Sequence, residues 1–245
     1  MKSFWKLCAF VNNMTEETII LEQTVSAEED VPNCGLYMIL PDTDDHDKQC
    51  FKLAQALHGA NRFSNYSMNR HIVEFRQNAK NPVSEVAVKA YQETCFKNGF
   101  IFVVADDARL ARAVNADGVI CSSIPKASEA RKMLSEDAII GLRCSTKAAA
   151  KSALDHDLDF ITIYSDKDGD PLLDILNWWT TATDNPIAVE GPFNQENCQS
   201  FVNAEATFID SSHHIWTHPS GNPMQGVVNM LDAFERYKPL RKNIN

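Results

Sequence analysis

The chain has 245 residues, 44% of them hydrophobic and 23% charged, which is the profile of a folded globular protein and excludes a disordered or fibrous one. Its formal charge is −10, with no Lys/Arg cluster dense enough to counter it, so nucleic acid backbones and anionic membranes are not expected partners, while metal-masked or small phosphate ligands remain open. The seven cysteines are odd in number, widely spread and free of CxxC, which argues against a disulfide framework or zinc knuckle and fits reduced thiols in a cytoplasmic protein.

The first run, MKSFWKLCAFV, is interrupted by Lys6 and lacks a small-residue cleavage site, so it does not read as a signal peptide. No segment approaches the roughly 20 apolar residues that span a bilayer. Residues 1–34 read as an N-terminal extension, since Met14–Asp30 is polar and acidic with a short strand at Thr18–Leu21 as its one regular element.

From Gly35 onward the chain alternates. Short apolar runs predict strands at Leu36–Leu40, His71–Phe75, Phe100–Val104, Val119–Cys121, Ala138–Leu142, Phe160–Tyr164, Pro186–Val189 and Thr207–Asp210. Amphipathic runs between them predict helices at Asp47–Leu57, Pro82–Lys97, Ala108–Val114, Ala127–Leu134, Thr146–Leu154, Leu172–Thr181, Gln195–Val202 and Met224–Arg236. Several strands are apolar throughout, as parallel strands covered on both faces must be. Residues 35–245 are therefore expected to form one (β/α)8 barrel of the α/β class, with a doubly wound open sheet as the alternative. Either fold puts ligand groups at the carboxyl ends of the strands.

At those ends the polar residues come in order. In Glu74-Phe75-Arg76-Gln77-Asn78, alternate side chains share one face, so Arg76 offers a fork of donors to a phosphate or pairs with Glu74 or another acid. Asp106 and Asp107 follow the third strand; Asp107 suits a helix cap and Asp106 a ligand role, such as one carboxylate on Mg2+. Asp117-Gly118 reads as a helix-to-strand turn. Arg143 follows the fifth strand beside Cys144, Ser145 and Thr146, hydroxyls that could meet phosphate or cap a helix. Cys144 reads as a buried inert thiol, or as one acidified by Arg143. Asp210 to His218 is the densest polar cluster and lies where many barrels bind phosphate; its three histidines fit no standard zinc spacing. Trp178 and Trp179 read as core.

Taken in order, LYMIL (36–40), EFRQN (74–78), FVVADDARLARAVNADGV (102–119), IIGLRCST (139–146), LDFITI (158–163), PIAVEGPF (186–193) and ATFIDSSHHIW (206–216) resemble the thiamine phosphate synthase family with its thiazole tautomerase relatives. The resemblance covers about Gly35 to Glu235. It implies a (β/α)8 barrel that joins an aminopyrimidine pyrophosphate to a thiazole phosphate and releases pyrophosphate, with Mg2+ on the leaving group.

Carried over by position, the match is partial. The strand-two pattern of glutamine, arginine and lysine appears as Glu74, Arg76 and Asn78, and the Asn-Asp after strand three as Ala105-Asp106. The second metal aspartate falls at Pro125. The serine after strand five becomes Arg143, and after strand six Lys167 is the one nearby base. The Gly-Gly after strand seven becomes Gly191-Pro192, and proline has no amide to give. Ser212 and His213 align with the phosphate loop after strand eight.

The resemblance thus implies Arg76, Asp106 and Arg143 as catalytic residues, Glu74, Asn78, Lys167, Gly191, Ser212 and His213 around a small phosphorylated substrate, and Asp106 as a Mg2+ ligand. Three functions follow: a synthase-like enzyme with a partly degraded site, an inactive relative that binds a small phosphorylated ligand as carrier or regulator, and, ranked last, a tautomerase-like isomerase using His213 or His214. A homo-oligomer is compatible with each.

Overall fold

In a computed structural model of the chain, residues 34–63, 71–165 and 172–239 are described. The eight strands are β1 (Gly35–Ile39), β2 (Ile72–Phe75), β3 (Ile101–Ala105), β4 (Gly118–Cys121), β5 (Ile139–Cys144), β6 (Phe160–Ile163), β7 (Ile187–Val189) and β8 (Phe208–Asp210). Each pairs in parallel with the next, and β8 pairs back onto β1 through Gly35–Phe208, Leu36–Ile209 and Tyr37–Asp210. That closure makes the (β/α)8 barrel and removes the open-sheet alternative.

The described helices are α1 (His46–Arg62), α2 (Glu85–Lys97), α3 (Ala108–Val114), α4 (Ile124–Met133), α5 (Lys147–Ala153), α6 (Leu172–Ala182), α7 (Gln199–Asn203), α8 (Ser212–Trp216) and α9 (Pro223–Tyr237). Their starts are written in the sequence. Asp45, Ser84, Asp107, Thr146 and Asn222 each accept a first-turn amide, satisfying donors that the helix itself cannot.

Several helices depart from expectation, and α1 runs five residues past Leu57 to Arg62. Residues 195–198 are not helical because the Asn194 carboxamide oxygen takes the amides of Glu196 (2.7 Å) and Asn197 (3.1 Å), a side-chain turn that competes with the helix. The one-turn α8 was not expected, since five residues are too few for a periodic signal. The strand expected at Thr18–Leu21 lies outside the described residues, as does nearly all of the extension. No described helix is long and apolar enough to cross a membrane.

Strand alternation splits the core in two. Outward residues such as Leu36, Met38, Val104, Ile140, Ile161 and Ile163 pack under the helices, while Tyr37, Ile72, Ile101, Val103, Ile120, Ile139, Phe160, Ala188 and Phe208 fill the barrel. Trp179 is buried as expected, but Trp178 is only partly so and lies beneath Lys147 and Lys151. The Asp117-Gly118 turn is only partly as read: Asp117 Oδ2 accepts the Phe102 amide at 2.7 Å, but Gly118 already belongs to β4 and the left-handed residue is Asn115, φ 54°.

Gly118 is required by close approach. A Cβ there would lie 1.9 Å from the Ile139 carbonyl oxygen, a clash with backbone that no rotamer relieves. Gly118→Ala is therefore expected to destabilise the barrel by about 3 kcal/mol, at the upper end of overpacking costs, measured as a lowered urea midpoint. An unchanged midpoint would contradict this packing.

Candidate functional site at the barrel mouth

Each strand's last inward position faces the mouth. On β2 the inward series runs Ile72, Glu74 and Arg76; on β5 Ile139, Gly141 and Arg143; on β7 Ala188 and Glu190; on β8 Phe208 and Asp210. The apolar filling ends where this polar layer begins.

The layer is a chain of charges. The Glu74 side chain is fully buried and accepts the Tyr37 hydroxyl at 2.6 Å and Arg76 Nε and Nη2 at 2.5 and 2.9 Å. Arg76 Nη2 also reaches Glu190 Oε2 at 2.9 Å. Glu190 in turn accepts Nε and Nη2 of Arg143, both at 2.8 Å, in a two-pronged pair. The Arg143 guanidinium lies over the Tyr164 ring, 4.8 Å from its centroid. Tyr37, Glu74, Arg76, Glu190, Arg143 and Tyr164 thus form one connected network across the mouth.

Desolvation acts against the charge on Arg76, but the hydrogen bond and charge of Glu74, followed by Glu190, outweigh it and raise its pKa. Arg143 is raised in the same way, with Glu190 overcoming burial. Burial pushes the Tyr37 phenol well above its usual value, helped by the Glu74 charge, so it stays a donor. The pairing of Arg76 with Glu74 that the sequence offered is present. Glu190 went unrecognised in the sequence, although its place two residues beyond the inward Ala188 marks it.

Beside this network, Asp210, the last residue of β8, faces the loops after β7 and β8. Its carboxylate accepts the Ser212 amide (2.9 Å), the Gly191 amide (3.4 Å) and the Ser212 hydroxyl. The Ile39 amide donates to Ser212 Oγ at 2.6 Å. Gly191 and Ser212 are therefore brought together, but on a carboxylate of the chain itself. Burial lifts the Asp210 pKa to about 6 against the opposing Ser212 hydrogen bonds.

The other sequence candidates lie apart. Asn78 donates to Asp42 at the rim. Lys167 lies outside the described residues. His213 is exposed on α8 near the Thr217 hydroxyl (3.4 Å), and His214 meets the His218 ring edge-on at 5.1 Å. None of these histidines hydrogen-bonds to the mouth arginines or carboxylates. Cys144 is buried and its pKa is pushed up to about 12 by desolvation, which removes the acidified-thiol reading.

Asp107 caps α3 through the amides of Arg109 (3.1 Å) and Leu110 (2.9 Å), as expected. Asp106 has a left-handed backbone, φ 56°, uncommon for a non-glycine residue. Its carboxylate accepts the Ser122 amide at 2.7 Å and pairs with Lys126 Nζ at 3.0 Å. Burial raises its pKa, but the Ser122 amide and Lys126 more than offset this and lower it. It opens on a cleft of about 170 Å³ that Lys126, Arg109 and Glu129 also line.

These residues do not fit Mg2+. A divalent ion needs oxygen donors around it, yet Asp106 faces an ammonium, the second ligand position is Pro125 in the first turn of α4, and no group of three acidic, histidine or cysteine side chains suited to a metal occurs among the described residues. In this arrangement Lys126 supplies the positive charge beside Asp106 that the expected Mg2+ would otherwise bring.

A family model described as thiamine monophosphate synthase matches residues 36–215. A thiamine-phosphate synthase of Erythrobacter litoralis is 29% identical over 153 residues, spanning 58% of this chain and 72% of that protein. One from Thioalkalivibrio sulfidiphilus is 36% identical over 114 residues, 45% of this chain and 49% of that protein. Among solved structures, thiamine phosphate pyrophosphorylase from Pyrococcus furiosus superposes with TM-score 0.67 at 18% identity, covering 84% of this chain and 98% of that one. The 3-hexulose-6-phosphate synthase of Salmonella typhimurium does so with TM-score 0.65 at 11% identity, covering 83% and 99%. Likeness at such identity speaks to the fold alone.

The raised Asp210 pKa has a stability consequence. The folded state holds this proton more tightly than the unfolded state, so Asp210 costs nothing well below pH 4 and its full penalty above about pH 6. Relative to Asp210→Asn, the wild type is expected to lose stability as pH rises from 4 to 6, by at most about 3 kcal/mol for a shift of this size. Paired urea titrations across that range measure the difference; a flat difference would contradict the burial of this charge.

Proposed function

The chain belongs to the thiamine monophosphate synthase family, and from that premise we propose that it is a synthase-like member with a partly degraded active site. In this reading, joining an aminopyrimidine pyrophosphate to a thiazole phosphate is no longer a working activity, and the barrel binds a small phosphorylated ligand as a carrier or regulator. The observation that carries the proposal is Asp210: the Gly191 and Ser212 amides that would stabilise a phosphate are already given to a carboxylate.

The family reaction requires positive charge and amides aimed at a departing pyrophosphate. One such preorganised donor is typically worth about 3 to 4 kcal/mol. Here Arg76 and Arg143 are neutralised by Glu74 and Glu190, and the metal position is filled by a Lys126–Asp106 pair. A phosphate must displace Asp210 to reach the amides, so ligand affinity is expected to be modest. Arg76, Arg143, Gly191 and Ser212 are the residues that would meet the ligand, with Asn78 and His213 at the periphery.

The second reading is a retained synthase. It is favoured by Arg76, Arg143 and Asp106, which all stand at the carboxyl ends of their strands.

Both readings are tested with the full chain in excess over an aminopyrimidine pyrophosphate and a thiazole phosphate, with Mg2+ present. No thiamine phosphate is expected in a single turnover, together with a rise in thermal stability on adding the thiazole phosphate. Stoichiometric product would overturn the proposal in favour of the synthase; no product and no stabilisation would overturn the ligand-binding role.

A further inference from the structure

We propose that Glu190 is a specificity-determining residue that closes an anion site between Arg76 and Arg143, standing where two oxygens of a phosphate or pyrophosphate would sit. The inference rests on the reading that the mouth takes a phosphorylated ligand, and it names the group that such a ligand must displace.

The geometry of the pair is that of anion recognition. One Glu190 oxygen accepts Arg143 Nε and the other accepts Arg143 Nη2 and Arg76 Nη2, so three guanidinium N–H groups converge on one carboxylate. Phosphate oxygens accept the same planar fork. Both arginines are also held without Glu190: Arg76 by two hydrogen bonds to Glu74, and Arg143 by the Tyr164 face. Withdrawing Glu190 therefore leaves the forks in place.

Among the described residues, the Glu190 side chain hydrogen-bonds only to these two arginines. Among those residues, moving its carboxylate aside breaks no hydrogen bond but these.

An independent observation points to the same place. Thr162 is fully buried on β6, in register with Arg143 on one side and Ala188 on the other, and faces inward between Phe160 and Tyr164. Its hydroxyl has no hydrogen-bond partner among the described residues. A buried hydroxyl is normally satisfied. Next to a closed arginine fork, it suits a further anion oxygen.

Solvent access makes the device reversible. The Arg76 and Arg143 side chains are 30% and 24% exposed, whereas Glu190 is 8% exposed. An incoming anion meets the guanidinium edges from outside, and Glu190 is expelled with its charge intact. No bond is made or broken.

The test uses inorganic pyrophosphate without metal, titrated calorimetrically into the full chain. Glu190→Gln is expected to tighten binding by about tenfold or more, as removal of a competing charge at a close pair does. Asp157→Asn, which removes the same negative charge at an exposed site near the opposite end of β6, is expected to leave affinity unchanged, and Glu190→Gln with Arg143→Leu to lose the gain. Equal affinity of wild type and Glu190→Gln, or an equal gain in Asp157→Asn, would overturn the proposal.

Should Glu190→Gln fail to fold, the wild type decides. Saturating pyrophosphate is expected to shift the arginine Nε–H resonances of Arg76 and Arg143, and unshifted resonances would overturn the proposal. Thiamine phosphate formation by the wild type would sink the proposed function while leaving the Glu190 inference to these affinities.

Discussion

The Glu190 carboxylate, held between Arg76 and Arg143, is the contact on which the mouth of this barrel depends. Buried ions are tolerated only when paired and fully hydrogen-bonded, and Glu74 and Glu190 each meet that demand through an arginine. The arrangement is asymmetric. The carboxylates are inside and the guanidiniums reach solvent, so losing an arginine strands a buried anion, whereas losing Glu190 leaves cations that water or another anion can serve. The network ties β2, β5 and β7 across the barrel axis, strands that the sheet itself does not pair. It thus links the stability of the mouth to its chemistry.

Most of the fold was legible in the sequence because it follows from local periodicity. Apolar strands, capped helices and the Asp117-Gly118 turn carry their signals within a few residues. What could not be read was pairing over distance. Arg76 and Glu190 lie on nonadjacent strands far apart in the chain, and nothing near either names the other. The Gly191-Pro192 departure marks a lost amide, whereas the gained charge is carried by the residue just before it, Glu190, whose inward direction shows only in the barrel. The α8 turn was likewise invisible, being too short for periodicity.

Asp106 illustrates how a resemblance and a geometry can diverge at one residue. Its position after β3 matches a metal aspartate, and its left-handed backbone is the kind of strain that gathers at functional sites. Yet its carboxylate is spent on the Ser122 amide and Lys126, which close the β3–β4 end of the barrel. A side chain that satisfies its own neighbours offsets the strain locally, with no ligand needed.

The same substitution of self for ligand recurs three times. Lys126 stands beside Asp106 where a cation would, Glu190 stands on the arginines where a phosphate would, and Asp210 stands on the Gly191 and Ser212 amides where another would. In an active anion-handling site, convergent like charges and unpaired amides destabilise the empty protein and are offset only when the ligand arrives. Here the empty protein already supplies a counter-charge or a hydrogen-bond acceptor at each point. Such a mouth carries its own groups at the points where phosphates would bind, and any ligand it does take must compete with three groups already tethered in place. That competition ties the proposed loss of catalysis to the proposed role of Glu190, since both follow from one redistribution of charge over an unchanged barrel.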